Sequence, residues 1–318
     1  MNDQTTAAEP AAAAVTVPEA VAVPALGEPG ARSGGRRAAL APVALVVAGA
    51  LSVQFGAAIA VLLMPRAGAL GVVTLRLAAA ALVLLVVCRP KLRGHSRADW
   101  GTVVAFGVAM GGMNTLFYQA ADRIPLGAAV TLEVLGPLAL SVIASRRLVN
   151  LVWAALALGG VVLLSGGGFD RLDPVGAAYA LGAGAMWAAY IVFSARTGRR
   201  FPQADGLALA MVVAALLSLP LGIMDAGSKL LVPTTLGLGA AVALLSSVLP
   251  YTLELIALRR LPAPTFAILM SLEPAIAAMA GFLLLDQALS TTDALAIALV
   301  IGASMGAVRS QVRGASKR

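Results

Sequence analysis

RIPLGAAVTLEVLGPLAL, residues 123–140, and RLPAPTFAILMSLEPAIA, residues 260–277, are the two stretches on which the fold turns. A shift of 137 residues lays one on the other, aligning Arg123 with Arg260, Pro125 with Pro262, Leu132 with Leu269, Leu135 with Leu272 and Pro137 with Pro274. Each stretch is apolar yet carries an acid, Glu133 or Glu273, close to its last proline. Proline has no N–H to give and clashes with the carbonyl four residues back. That carbonyl belongs to Glu133 for Pro137 and to Met270 for Pro274. Glu273, directly before a proline, is also pushed away from helical geometry. The pattern predicts two kinked helices, each with a freed backbone acceptor beside an acidic side chain.

Outward from these stretches, apolar runs long enough to cross about 30 Å of hydrocarbon recur at 39–64, 68–88, 101–121, 126–145, 149–166, 174–195, 206–224, 233–257, 263–284 and 292–308. These predict an all-α membrane protein of about ten transmembrane helices. The shift carries the fourth run onto the ninth, so the repeat is five helices long. An odd number of passes reverses direction, which makes the two halves inverted repeats related by an axis in the membrane plane. The expected organisation is a cytoplasmic tail over 1–38, repeats over 39–166 and 174–308, and a basic tail over 309–318. One chain holding both halves needs no dimer to form a central site.

Composition agrees. The 318 residues are 60% hydrophobic and 12% charged, half the charge of an ordinary soluble domain. Lysine and arginine sort by loop. With the N-terminus inside, 18 of the 23 fall on the inner side and 4 (Arg66, Arg123, Arg171, Lys229) on the outer, leaving Arg76 within a helix. That asymmetry sets both termini in the cytoplasm. It also reads the net charge of +8 as a topology signal and not as a nucleic-acid surface. The first 38 residues run from acids to the basic group Arg32, Arg36 and Arg37, the reverse order of a cleavable signal peptide.

Whole classes of chemistry drop out. One cysteine, Cys88, and one histidine, His95, leave no disulfide framework, no Cys/His zinc site and no histidine triad. His95 sits between Arg93 and Arg97 and reads as a solvated loop residue. Neither a phosphate-binding G-x-x-x-x-G-K-[ST] loop nor an H-E-x-x-H pair occurs, so the chain reads as a non-enzyme without cofactor or metal. Its partners would be a small molecule, protons and the bilayer.

Charges inside the membrane cost about 2.5–3.5 kcal/mol on insertion scales and therefore mark partners or pathways. The candidates are Arg76, Glu133, Glu273 and, near the cytoplasmic Arg259 and Arg260, Glu254. Glu133 and Glu273 could carry a proton or meet a substrate ammonium. Arg76 could bind a carboxylate or snorkel outward. Gln54, Asn114 and Tyr118 read either as pathway lining or as interhelical hydrogen-bonding groups, and Tyr118 also as an interfacial anchor. The spacings Gly107/Gly111 and Gly302/Gly306 read as packing contacts.

Four segments carry a resemblance to a known family: GVVTLRLAAAALVL (71–84), GVAMGGMNTLFYQAADRIPLGAAVTLEVLGPLA (107–139), ALGAGAMWAAYIVFSARTG (180–198) and LLSSVLPYTLELIALRRLPAPTFAILMSLEPAIAAMAG (244–281). Together with the ten-helix plan they resemble the drug/metabolite transporter superfamily with its EamA-type repeats, and within it the threonine/homoserine exporters of the bacterial inner membrane. The resemblance runs from about residue 40 to 308. It implies export of small amino acids or related metabolites, in exchange for protons. Glu133 and Glu273 would then handle the proton or the substrate amine, and Arg76 the carboxylate, with Gln54, Asn114 and Tyr118 along the path. Another metabolite or drug, or a non-transport membrane protein, is the competing reading.

Overall fold

The computed structural model describes residues 35–145, 149–164, 172–201, 204–250, 253, 257, 261 and 263–315. Glu254, Arg259, Arg260 and Pro262 lie outside the described residues, as do Arg146, Arg147 and residues 1–34 of the expected tail. Among the described residues the chain is helical, with no strand. Lipid leaves no other choice for a single segment, because each backbone polar group must find its partner within the helix.

In chain order the helices are α1 (Gly35–Cys88), α2 (Arg97–Ala121), α3 (Leu126–Glu133), α4 (Leu135–Ser145), α5 (Val149–Leu164), α6 (Pro174–Gly198), α7 (Asp205–Ala226), α8 (Pro233–Ala243), α9 (Ala263–Met270), α10 (Glu273–Leu285) and α11 (Thr291–Ala315). A π-helical turn, Leu244–Val248, continues α8. The last helix runs on through residues 309–315, where the sequence suggested a tail. Six helices are long and apolar enough to cross a membrane, and three shorter apolar ones cover Leu126–Leu140, Val152–Leu163 and Pro233–Val248.

Element ends follow local chemistry. Ser96 and Asp99 form a reciprocal capping box at the start of α2, and Asp173 takes the N–H groups of Val175 and Gly176 at the start of α6. Both satisfy donors that a helix start leaves orphaned. The 54-residue α1 folds into two legs at Gly68, whose φ of 66° and ψ of 163° break the helix. Asp225 from the end of α7 caps the second leg by accepting from Leu70 N at 3.1 Å.

The bundle turns large apolar side chains outward, among them Val86, Val87, Ile143, Leu158 and Met224. Such a surface suits hydrocarbon rather than water. Small residues face inward and let helices approach. Gly107 and Gly111 of α2 lie against Ala210, Val213 and Ala214 of α7, Gly127 of α3 against Ala278 of α10, and Gly306 of α11 against Trp153 of α5. Gly302 meets nothing close, so half of that expected packing pair is absent.

Each of the two helices predicted to kink breaks a few residues ahead of its proline. The first break falls at Val134 between α3 and α4, the second at Ser271 and Leu272 between α9 and α10. Helices α3 and α9 are each eight residues long, and their first residues, Leu126 and Ala263, stand 137 apart, as do their last, Glu133 and Met270.

Candidate functional site

Arg76, on the second leg of α1, turns into the bundle instead of snorkelling outward. Its Nη1 donates to Tyr118 Oη of α2 at 3.1 Å and its Nη2 to the Ser246 carbonyl of the π-turn at 3.1 Å. The guanidinium also lies over the Tyr118 ring, 5.5 Å from its centre, a favourable place for a cation. Tyr118 is fully buried and edge-on to Phe117, so it is an internal partner of Arg76 and not an interfacial anchor. Asn114, one turn before Tyr118, is buried and bonded back to Met110 O at 2.9 Å.

Glu133 ends α3, half-buried. It lies within electrostatic reach of Arg76 but does not close on it; the ion pairs found among the described residues are Arg123–Asp173 and Arg200–Asp99. Arg76 and the Glu133 carboxyl are thus near enough to interact without forming an ion pair. The freed Glu133 carbonyl faces Gly184 of α6, where any side chain would strike it, and Gly136 meets the same glycine. Glu273 opens α10 with Pro274 beside it, and both are buried. A first-turn acid suits the unpaired N–H groups of a helix start.

Gln54 is buried on α1, and its Oε1 has no hydrogen-bond partner. It stands two helical turns beyond Val46, which packs on Phe266 of α9. The structure therefore ties Arg76 and Tyr118 into one cluster with Glu133 nearby. It sets Gln54 and Glu273 on the neighbouring pair α1 and α10, which pack together.

Sequence reading missed three contributors. The π-turn puts Ser246 against Arg76 and against Gly56 of α1, and Ser52 donates to Leu245 O at 2.6 Å. A serine pair inside an apolar run, four residues before a proline, was the available signal. Gln287, from the connection after α10, accepts from Leu126 N at 3.0 Å and so caps α3 from the other half of the chain. Beside it lies a cavity of about 200 Å³ lined by Pro125, Gly127, Ala278, Gln287, Asp293 and Ile297; none of the sequence-predicted side chains lines it. His95 is packed rather than freely solvated. Its ring lies 4.3 Å from that of Phe201 and edge-on to Trp100, with Nε2 3.0 Å from Lys91 O. The reason is that the loop folds back onto α7's approach, bringing Lys91 N to Asp205 as well.

With this geometry in hand, comparison places the chain. It is 42% identical over 267 residues to the threonine/homoserine exporter RhtA of Escherichia coli (strain K12), covering 83% of this chain and 90% of that one. The exporter of the same name in Salmonella typhimurium (strain SL1344) matches to the same extent. A model of the EamA-like transporter family matches residues 174–309. The chain belongs to the EamA-like transporter family. An uncharacterised transporter of Bacillus subtilis, YwfM, is 29% identical over 73% of this chain. A crystal structure 20% identical in sequence superposes with a TM-score of 0.52 over 83% of this chain and 97% of its own, a likeness of fold alone. The family model spans α6 to α11, and the RhtA alignment extends the match into the first half, where Arg76, Tyr118 and Glu133 stand. Membership in this family makes the chain a multi-pass membrane protein.

Proposed function

We propose that this protein exports small amino acids of the threonine and homoserine type across the bacterial inner membrane, in exchange for protons and by alternating access. The observation that carries the reading is that Arg76 and Glu133 lie within electrostatic reach and form no ion pair with each other. An amino acid is a zwitterion, and a half-buried guanidinium with an unpaired carboxyl nearby suits its carboxylate and ammonium. Proton exchange follows if proton and substrate ammonium compete for the same carboxylate. Glu133 is the shared site, and Glu273 serves the same purpose at the second kink. Asn114, Tyr118 and Gln54 line the route.

The two kinked helices with equal first segments support an inverted pair of five-helix repeats, 39–166 and 174–308. Ten passes would result if the two legs of α1 and the three shorter apolar helices each cross along with the other five long ones. The excess of lysine and arginine in alternate loops supports a topology with both termini in the cytoplasm. A single chain completes the site.

Growth tests this reading. A strain overproducing the protein should tolerate otherwise toxic threonine or homoserine, and Arg76→Ala should abolish the protection. Protection confined to an unrelated metabolite or drug would replace the amino-acid assignment with another substrate.

A further inference from the structure

The π-turn Leu244–Val248 interrupts a transmembrane helix, and such turns recur at functional sites because they present backbone and side-chain groups that an α-helix would bury in its own ladder. Here it presents two. The Ser246 carbonyl accepts from Arg76 Nη2. The Ser246 hydroxyl, in a residue 4% exposed, has no hydrogen-bond partner, and neither does Arg76 Nε. Leaving a buried hydroxyl unsatisfied is costly, so its presence in a largely apolar run calls for a ligand. Gly56 of α1 lets the Ser246 hydroxyl lie where a Cβ would strike it.

We infer that Ser246 is a specificity-determining residue that reads the side-chain hydroxyl of the substrate. This rests on the reading that Arg76 takes the substrate carboxylate. The fork of Arg76 formed by Nε and Nη2 is the bidentate face for a carboxylate. At present it spends one arm on the Ser246 carbonyl and leaves the other free. A carboxylate that takes this fork brings the substrate's first side-chain carbons beside Ser246. A hydroxyl there exchanges hydrogen bonds with Ser246 Oγ, and a methyl group leaves it unsatisfied. Sites built to bond a hydroxyl reject the analogue lacking it far better than apolar pockets separate near-isosteres.

Threonine and valine are the probe pair, alike in shape and different in the hydroxyl. The measurement is inhibition of labelled threonine counterflow by each unlabelled amino acid in proteoliposomes holding the full-length protein. Wild type should prefer threonine, and Ser246→Ala should weaken threonine about tenfold while leaving valine unchanged. Gly56→Ala, which displaces the same hydroxyl, should shift the ratio in the same direction. Ser247→Ala, at the adjacent buried serine, should not.

Equal weakening of threonine and valine by Ser246→Ala would make Ser246 a packing residue and overturn the inference, as would an unchanged threonine affinity. In both cases wild-type threonine transport would stand, and with it the proposed function. Wild-type vesicles that counterflow no amino acid would instead remove the proposed function, and this inference with it.

Discussion

The two kinked helices begin alike and end differently. Each starts with an eight-residue segment, and each breaks ahead of a proline. At the first break the ladder passes through: Val134 N donates to Val130 O at 3.0 Å and Leu138 N to Val134 O at 3.2 Å. At the second it tightens and restarts, with Leu272 N bonded to Leu269 O and both Ala275 N and Ile276 N bonded to Leu272 O. The acids fall on opposite sides. Glu133 closes the segment before its break, whereas Glu273 opens the segment after it, so the 137-residue shift pairs Glu133 with Met270 and Gly136 with Glu273. The first half therefore spends the position after its break on a close helix crossing, Gly136 against Gly184. The second half spends it on a buried carboxylate. The acid within electrostatic reach of Arg76 is the one at the carbonyl end of its segment.

The sharpest way to break the comparison is to remove the crossing that only the first half has. Gly136→Leu forces a side chain into the backbone of Gly184, and overpacking of this kind costs about 1–3 kcal/mol or more. We expect little folded protein by size-exclusion after solubilisation. Glu273→Gln, at the aligned position, should leave a folded chain, measured the same way.

Next come the prolines. Pro274 stands in the first turn of α10, where its missing N–H is an orphan in any case, so Pro274→Ala should change thermal stability by less than about 1 kcal/mol. Pro137→Ala restores a donor to a ladder that already runs through the break. It should straighten α3–α4 and slow transport several-fold more than Pro274→Ala does. Equal effects would mean that the two breaks are mechanically equivalent.

The smallest effect lies at the surface. Burial pushes the Asp173 carboxyl upward, but the N–H groups of Val175 and Gly176 together with Arg123 outweigh it and hold it below its ordinary range. Its capping contribution is thus present at neutral pH and fades only as pH falls through that depressed value. Asp173→Asn should leave transport unchanged at neutral pH and slightly lower the melting temperature, a loss that vanishes in acid.

Much of this was legible from residues alone. Pro137 and Pro274 pointed to the stretches where the helices break, at Val134 and at Ser271 and Leu272, because a missing N–H acts locally. A turn near Gly68 was legible too, since Pro65 and Arg66 separate two apolar runs, but the capping of the second leg depends on Asp225 reaching over from α7. Arg76, Glu133 and Tyr118 stood out because charge and hydroxyl are costly in lipid, yet their grouping depends on how α1, α2 and α3 pack. Ser246 escaped notice because a serine can satisfy itself on its own helix; only the π-turn, a tertiary outcome, withholds that partner. His95 looked solvated from its basic neighbours, and only the fold brings Phe201 to its ring.

Efflux of preloaded threonine from proteoliposomes, with and without an imposed pH gradient, tests the central claim most directly when wild type, Glu133→Gln and Glu273→Gln are compared. The account predicts gradient-driven efflux in wild type and its loss in Glu133→Gln, with Glu273→Gln slowed but still responsive to the gradient. Gradient-driven efflux that persists in Glu133→Gln would contradict it.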